Sequence, residues 1–164
     1  MQIMKPKYNT EVIKGTQNAK NIAIQVKRAI LESEPAAKEI ALKFKGSSPI
    51  YSCFNVYDFT RKNIKYNKES ANLQTAKTLQ RILSDRKNGS LYGDCKHYTI
   101  FAASILRALG IKTQLRLISQ NFYNAEPTHI YAVAKINGKE IIVDACMKNF
   151  NNEAQYKYKY NLNF

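Results

Sequence analysis

The sequence lacks the features of several specialised protein classes. Its 164 residues contain three cysteines, an odd number without framework spacing, which favours reduced thiols over a disulfide scaffold. No apolar run approaches the roughly 20 residues that span a bilayer. Residues 1–9 also lack the continuous apolar region of a secretory signal peptide. We therefore expect a cytoplasmic protein without a membrane span.

Acidic residues are scarce as well. The 12 Asp and Glu residues against 26 Lys and Arg residues give a formal net charge of +14, and the lysines are spread along the whole chain. A field of this size attracts polyanions, including nucleic acid, acidic protein surfaces and anionic lipid. No zinc finger, RNP-type motif or arginine-rich arm accompanies the charge. The charge is therefore compatible with an acidic protein or an assembly partner. It is also compatible with nucleic acid as a partner, although no sequence motif supports nucleic-acid binding.

The most informative motif is Gly93-Asp94-Cys95, which opens the most strongly apolar helix that the sequence predicts. Asp94 is a candidate N-cap, and Gly110 supplies a C-terminal stop. The apolar residues between them follow the i, i+3, i+4 spacing of a buried stripe: Tyr98, Phe101, Ala102, Ile105, Leu106 and Leu109. A cysteine at a helix N-terminus is favoured as the nucleophilic thiolate. A buried structural cysteine is the alternative, and the position in the first turn argues against it.

A predicted hairpin brings a histidine and an aspartate together. Asn137-Gly138 lies between apolar runs at 128–136 and 139–145, and this dipeptide is the strongest short-range signal for a two-residue turn. Counting back from the turn places His129 and Asp144 on the same face as diagonal neighbours. Diagonal Cα positions lie roughly 7–8 Å apart, which an imidazole and a carboxylate can span. A register slip of one residue would separate them onto opposite faces.

A cysteine on a helix, followed by a histidine and an aspartate on neighbouring strands, is typical of thiol acyl-transfer enzymes. We therefore predict that Cys95, His129 and Asp144 act as a catalytic set. The other histidine, His97, lies two residues after Cys95. Residues i and i+2 of a helix do not face each other, so we do not expect His97 to act as the base.

A metal site is the main chemical alternative within the same residues. Cys95, His97, His129, Asp144 and Cys146 all belong to types that bind zinc. The sequence has no Cys-x-x-Cys pair and no His-x-x-x-His pair, and Cys95 and His97 diverge on a helix. We therefore expect neither a metal ion nor another cofactor.

Residues 50–147 resemble the transglutaminase-like superfamily. The resemblance rests on Gly93-Asp94-Cys95-Lys96-His97-Tyr98, Leu-Arg-Ala-Leu-Gly-Ile at 106–111, His129, Asp144, and Tyr57-Asp58-Phe59-Thr60-Arg61-Lys62-Asn63-Ile64-Lys65-Tyr66. It implies a papain-like α+β fold, in which N-terminal helices and a central cysteine helix pack on an antiparallel β-sheet. It also implies that Cys95 is the nucleophile, His129 the base and Asp144 the acid that orients the base.

The sequence contains no tryptophan, whereas some members of that superfamily use a tryptophan side chain to donate a hydrogen bond to the oxyanion. The Cys95 backbone N–H supplies one donor to the oxyanion. Tyr92 and Tyr66 are the candidates for the second donor.

Periodicity predicts the remaining elements of one globular chain, of which 45% is apolar. Helices are expected over 18–33, over 36–45 after Pro35, from Ser48-Pro49 towards Ile64, and over 73–83, followed by a polar loop over 85–93. Strands are expected over 112–119, 128–136 and 139–145. We divide the chain into a helical prefix, 1–46, packed on the core, and a catalytic domain, 47–164.

Residues 156–164 alternate strictly between apolar and polar types, which is the period of a half-buried strand. We expect this segment to join the sheet. The competing interpretation is an aromatic and basic segment that adheres to a partner or to nucleic acid.

The predicted reaction is attack of a thiolate on an amide carbonyl in a protein or peptide substrate. We favour hydrolysis, as in a cysteine protease or amidase, over transglutaminase crosslinking, because a small domain has little surface for selecting an amine over water. The alternative from another class is a basic structural or assembly protein, such as a phage or virion component. Such a protein would use the same fold, with or without activity, and would be incorporated into a virion.

Overall fold

The computed structural model describes residues 10–14, 18–121 and 125–164. Its helices are α1 (Ala19–Glu32), α2 (Glu34–Ile40), α3 (Pro49–Asn63), α4 (Leu79–Ser84) and α5 (Cys95–Ala108), with a 3-10 turn at Ala41–Phe44. Its strands are β1 (Thr10–Lys14), β2 (Ile64–Tyr66), β3 (Leu73–Lys77), β4 (Arg86–Lys87), β5 (Ser90–Gly93), β6 (Lys112–Ser119), β7 (His129–Ile136), β8 (Lys139–Val143) and β9 (Tyr158–Leu162). Within these ranges, no helix is both long and apolar enough to cross a membrane.

Helix α5 forms the centre of the molecule. All of its residues from Lys96 to Leu106 are buried, because helices α1, α2 and α3 pack against it and β6 and β7 cover another side. Burying a side chain such as Phe101 or Leu106 contributes about 1.5–3 kcal/mol. The fold is therefore α+β, with a central cysteine helix packed on an antiparallel sheet, as the sequence predicts.

The sheet that supports the candidate site has the strand order β8-β7-β6-β9 and is antiparallel throughout. The two residues of the Asn137-Gly138 turn have φ angles of 50° and 74°, which a two-residue hairpin turn of type I′ requires. Ile136 pairs with Lys139, so the predicted register is confirmed. The paired ladder ends at Val143, and Asp144 consequently lies just beyond the end of β8.

The C-terminal strand is also confirmed, because β9 pairs with β6. Its tyrosines are more exposed than a half-buried strand would make them: Tyr158 and Tyr160 are 39% and 47% accessible. This exposure follows from the position of β9 at the edge of the sheet.

Two segments before the cysteine differ from the prediction. Residues 73–83, predicted as one helix, divide into β3 and α4, because β3 pairs along its whole length with the distant β1. The predicted polar loop over 85–93 is a hairpin of β4 and β5, with Asn88 and Gly89 at positive φ. Since β5 also pairs with β2, the chain reaches Cys95 from a strand held on both sides.

The N-terminal helices begin where their caps predict. Asn18 accepts a first-turn N–H of α1 at 2.9 Å, and Ser48 accepts one from α3 at 3.3 Å. The helix predicted over 36–45 is shorter, because α2 ends at Ile40 and the chain continues as a 3-10 turn.

Candidate active site

The turn that presents Cys95 is held by a capping box. The Asp94 side chain accepts the Lys96 N–H at 3.0 Å, and the Asp94 N–H donates to Nδ1 of His97 at 3.2 Å. A Cβ atom at Gly93 would lie 2.6 Å from the His97 Cβ, so the turn requires glycine there. Cys95 is consequently the first residue of α5, beside the unpaired N–H groups at the positive end of the helix dipole.

The cap is tied to the body of the protein through a buried lysine. Burial alone would raise the pKa of Asp94, but the hydrogen bonds and charges of His97 and Lys96 lower it well below its usual range. The Lys96 ammonium contacts the Asp94 carboxylate, donates to Gln74 Oε1 at 2.6 Å, and lies 3.3 Å from Glu69 Oε2. These bonds fix the first turn of α5 against β3.

The imidazole of His97 contacts groups other than the Cys95 thiol. Its side chain is buried, its Nδ1 takes part in the cap, and its Nε2 lies 3.3 Å from Thr75 Oγ1. Both ring nitrogens therefore have partners other than the thiol, which agrees with the expectation from helix spacing.

The structure brings His129 and Asp144 together, with 2.6 Å between Nε2 and Oδ2. Because Nε2 is engaged, Nδ1 is the ring nitrogen left for Cys95. Burial would lower the pKa of His129, but the hydrogen bonds and charges of Asp144 and Cys95 outweigh burial and raise it to about 10. The raised pKa favours the charged form of His129, and an imidazolium is a suitable partner for a neighbouring thiolate.

Thr99 joins the cysteine helix to the histidine strand. Its Oγ1 lies 2.7 Å from the Cys95 carbonyl oxygen and 3.0 Å from the Ile130 carbonyl oxygen. Ile130 directly follows His129, so this hydroxyl holds the first turn of α5 beside the first residues of β7.

The turn after β8 is held by helix α3. Asp144 Oδ1 accepts the Cys146 N–H at 3.0 Å, which leaves Oδ2 for the histidine. Arg61 and Tyr57 donate to the Met147 carbonyl at 2.7 and 2.8 Å. No motif in the sequence assigns these two residues a role, although their i, i+4 spacing places them on one face of α3.

A second network supports His129 from the sheet side. The ring of Tyr131 lies 5.4 Å from the imidazole, and its hydroxyl donates to Glu153 Oε1 at 2.6 Å. The buried Arg116 donates to the same oxygen at 2.6 Å and to Glu140 at 2.8 Å. The tyrosine is therefore held in place beneath the imidazole.

A cavity of about 500 Å³ opens beside His129. Its lining consists of Arg61, Ile64, Lys65, Tyr66, Tyr98, Gln120, His129, Ala145, Cys146, Met147 and Ala154. Burial and the proximity of Cys95 raise the pKa of the Tyr66 hydroxyl above its usual range. Tyr92 is not part of this lining, and the Lys65 ammonium lies 5.9 Å from its ring centroid. The structure therefore brings Tyr66 to the cavity but not Tyr92.

Among the described residues, the ligand atoms of His129, Asp144 and Cys146 form the one group that could hold a metal ion, all within 4.8 Å of one another. Burial and the charges of Asp144 and Cys95 raise the pKa of Cys146 above its usual range, which disfavours the thiolate that a metal binds. Cys95 and His97, which the metal alternative also used, lie outside this group. These three side chains therefore suit a histidine that Asp144 orients better than they suit a metal ion.

The helix, the sheet and this constellation define a papain-like fold of the cysteine-protease type. The model of a family described as a transglutaminase-like domain matches residues 35–160. The chain belongs to this family. The match includes all three predicted catalytic residues and begins within the predicted helical prefix.

Two solved structures share the fold. One is a candidate cysteine protease from Cytophaga hutchinsonii, with a TM-score of 0.53 and 19% identity, covering 83% of this chain and 48% of that one. The other is a candidate protease from Parabacteroides distasonis, with a TM-score of 0.55 and 16% identity, covering 73% of this chain and 25% of that one. This chain thus spans about half and a quarter of their lengths. A search of curated proteins found no match.

Proposed function

We propose that this chain hydrolyses amide bonds as a cysteine protease or amidase, with Cys95, His129 and Asp144 as its catalytic residues. The observation that supports this most directly is the 2.6 Å bond between Asp144 and a histidine coupled to the Cys95 thiol. The helix N-terminus, the oriented base and the adjacent cavity supply the parts that nucleophilic catalysis on a carbonyl needs.

In the first step, the Cys95 thiolate attacks the carbonyl carbon of the amide, and a new C–S bond forms. The carbonyl oxygen becomes an oxyanion, which accepts hydrogen bonds from the Cys95 backbone N–H and, in this proposal, from the Tyr66 hydroxyl. The C–N bond then breaks as the His129 imidazolium gives its proton to the leaving amine. An acyl-thioester on Cys95 and a neutral imidazole remain.

In the second step, neutral His129 removes a proton from water as the water oxygen attacks the thioester carbonyl. The C–S bond breaks, the acid leaves, and the thiolate and imidazolium are restored. Asp144 keeps the ring oriented and stabilises the imidazolium throughout. An amine in place of water would give crosslinking, and we favour hydrolysis because water is abundant in an open cavity.

The test is the alkylation rate of each cysteine by iodoacetamide across about pH 4–9, read by peptide mass spectrometry. Burial raises the pKa of Cys53 to about 12, and burial and neighbouring charge raise that of Cys146 as well, so both serve as internal controls. We expect Cys95 to react at least tenfold faster than either control at pH 6. The His129→Ala variant should lose that advantage.

Hydrolysis is then measured on a denatured protein substrate with the wild type and Cys95→Ala. Cleavage by the wild type alone supports the proposal. A Cys95 that reacts no faster than Cys53, with or without His129, contradicts it.

A further inference from the structure

Two neighbouring cavities form one groove at the candidate site. The first contains His129 and has a volume of about 500 Å³, and the second has a volume of about 570 Å³. They adjoin each other, because Gln120 and Ala154 line both. A groove of this extent runs well past the reacting centre, so it can hold residues of an extended peptide on the approach to the cleaved amide.

Two cations line the first cavity without an acidic partner. Arg61 and Lys65 are both exposed, and neither forms an ion pair with any residue in the described parts of the chain. Arg61 donates to the Ala145 and Met147 carbonyls through Nη1, and the residue is exposed, so its guanidinium retains N–H groups that these two bonds do not use. Carboxylates and phosphates are the anions that a guanidinium and an ammonium bind best.

The carboxylates near this groove are already neutralised. The Asp144 carboxylate lies 2.6 Å from Nε2 of His129, and Glu153 accepts from the buried Arg116 at 2.6 Å. Arg61 and Lys65 therefore give the first cavity a positive charge, within a chain whose formal charge is +14.

We infer that this groove selects peptide substrates with acidic side chains close to the cleaved amide; the inference rests on the proposed function. Carboxylates of the peptide pair with Arg61 and Lys65, while its scissile carbonyl lies against Cys95. A peptide fits better than a nucleic acid because the groove contains His129, which is coupled to the Cys95 thiol, and this thiol reacts with acyl carbonyls such as those of a peptide. The net charge of the whole chain steers such a peptide towards the groove.

Binding is measured first, with the full-length Cys95→Ala protein, so that the result does not depend on catalysis. The probes are two fluorescent peptides of equal length, one rich in Asp and Glu and one with Asn and Gln at those positions. Each exposed pair of charges changes affinity by about two- to fivefold, so we expect the acidic peptide to bind about tenfold more tightly at low salt. This difference should disappear at about 0.5 M NaCl, where charges are screened within a few ångström.

Charge reversal locates the binding site. Lys65→Glu should weaken binding of the acidic peptide about tenfold. Lys62→Glu is the matched control, because Lys62 is exposed three residues earlier in the last turn of α3, pairs with Asp58 at 2.7 Å, and does not line the cavity. Its effect should be less than twofold.

Cleavage of the same two peptides by the wild type separates the two proposals. Faster cleavage of the acidic peptide, through a lower KM, supports both. Equal binding of the two peptides, or equal loss in the two charge-reversed variants, overturns the inference even when both peptides are cleaved. Selective binding without any cleavage keeps the inference and contradicts the proposed function. A single-stranded oligouridylate that displaces the peptide and is equally sensitive to Lys65→Glu would reassign the groove to nucleic acid.

Discussion

Asp144→Asn is the substitution that tests the geometry of the site most directly. The amide keeps the shape of the side chain but removes the negative charge 2.6 Å from His129 Nε2. The partners of His129 raise its pKa from 6.5 to about 10, which corresponds to on the order of 5 kcal/mol at about 1.4 kcal/mol per pH unit. Asp144 and Cys95 share this stabilisation, so we expect the substitution to remove about half of it. The imidazole should then titrate closer to pH 8.

The assay is histidine NMR, which is simple here because the chain has two histidines. Spectra of the wild type, Asp144→Asn and His129→Gln assign the two rings and give the titration of each. Activity of Asp144→Asn should fall about 10²- to 10⁴-fold, because the ring loses both its orientation and its charge partner. If His129 titrates near pH 6.5 in the wild type, or at the same pH in both proteins, the electrostatic reasoning is refuted.

Three further outcomes follow from other contacts. Thr99→Val removes the hydroxyl that bonds the Ile130 carbonyl, so we expect it to lower kcat with little change in KM and to reduce the free energy of unfolding by about 1–2 kcal/mol. Thr99→Ser keeps the hydroxyl and should restore both kcat and stability, as measured by kinetic and denaturation assays. Gly93→Ala places a Cβ 2.6 Å from that of His97 and should destabilise the protein by about 1–3 kcal/mol in urea, so an unchanged midpoint would contradict the close approach. Because folding raises the pKa of His129, the contribution of this residue to the stability of the folded protein is complete below pH 6.5 and is lost as the pH rises towards 10. Thermal melts across this pH range should show the loss in the wild type but not in His129→Gln.

The contact between His129 and Asp144 could be predicted from the sequence because it depends on residues that are close together in the chain. A single Asn137-Gly138 turn determines the register of a hairpin, and the register places His129 beside Asp144. Asp94 and Gly93 likewise identify the start of the cysteine helix, since caps are encoded within one turn. These inferences need no knowledge of distant parts of the chain.

Long-range pairing limits the prediction elsewhere. Residues 73–77 carry apolar and polar types that suit a helix, yet they form β3 because β1 lies alongside, more than fifty residues earlier in the chain. The role of Arg61 depends on a carbonyl 86 residues away, which no periodicity reveals. The second oxyanion donor is uncertain from sequence for the same reason, since only the folded cavity distinguishes Tyr66 from Tyr92.

The hairpin turn makes the candidate site vulnerable to changes far from it. Ile136, at the start of the turn, lies seven positions after His129, which is about 24 Å along a β-strand. Deleting one turn residue would shift β8 by one position and carry Asp144 to the opposite face, while every residue near the thiol kept its identity. A two-residue shift would restore the face but move Asp144 about 7 Å along the strand, away from His129. The turn therefore belongs to the candidate site in its function although it lies at the other end of the hairpin, and a screen for loss of activity should recover changes there as well as at the three site residues.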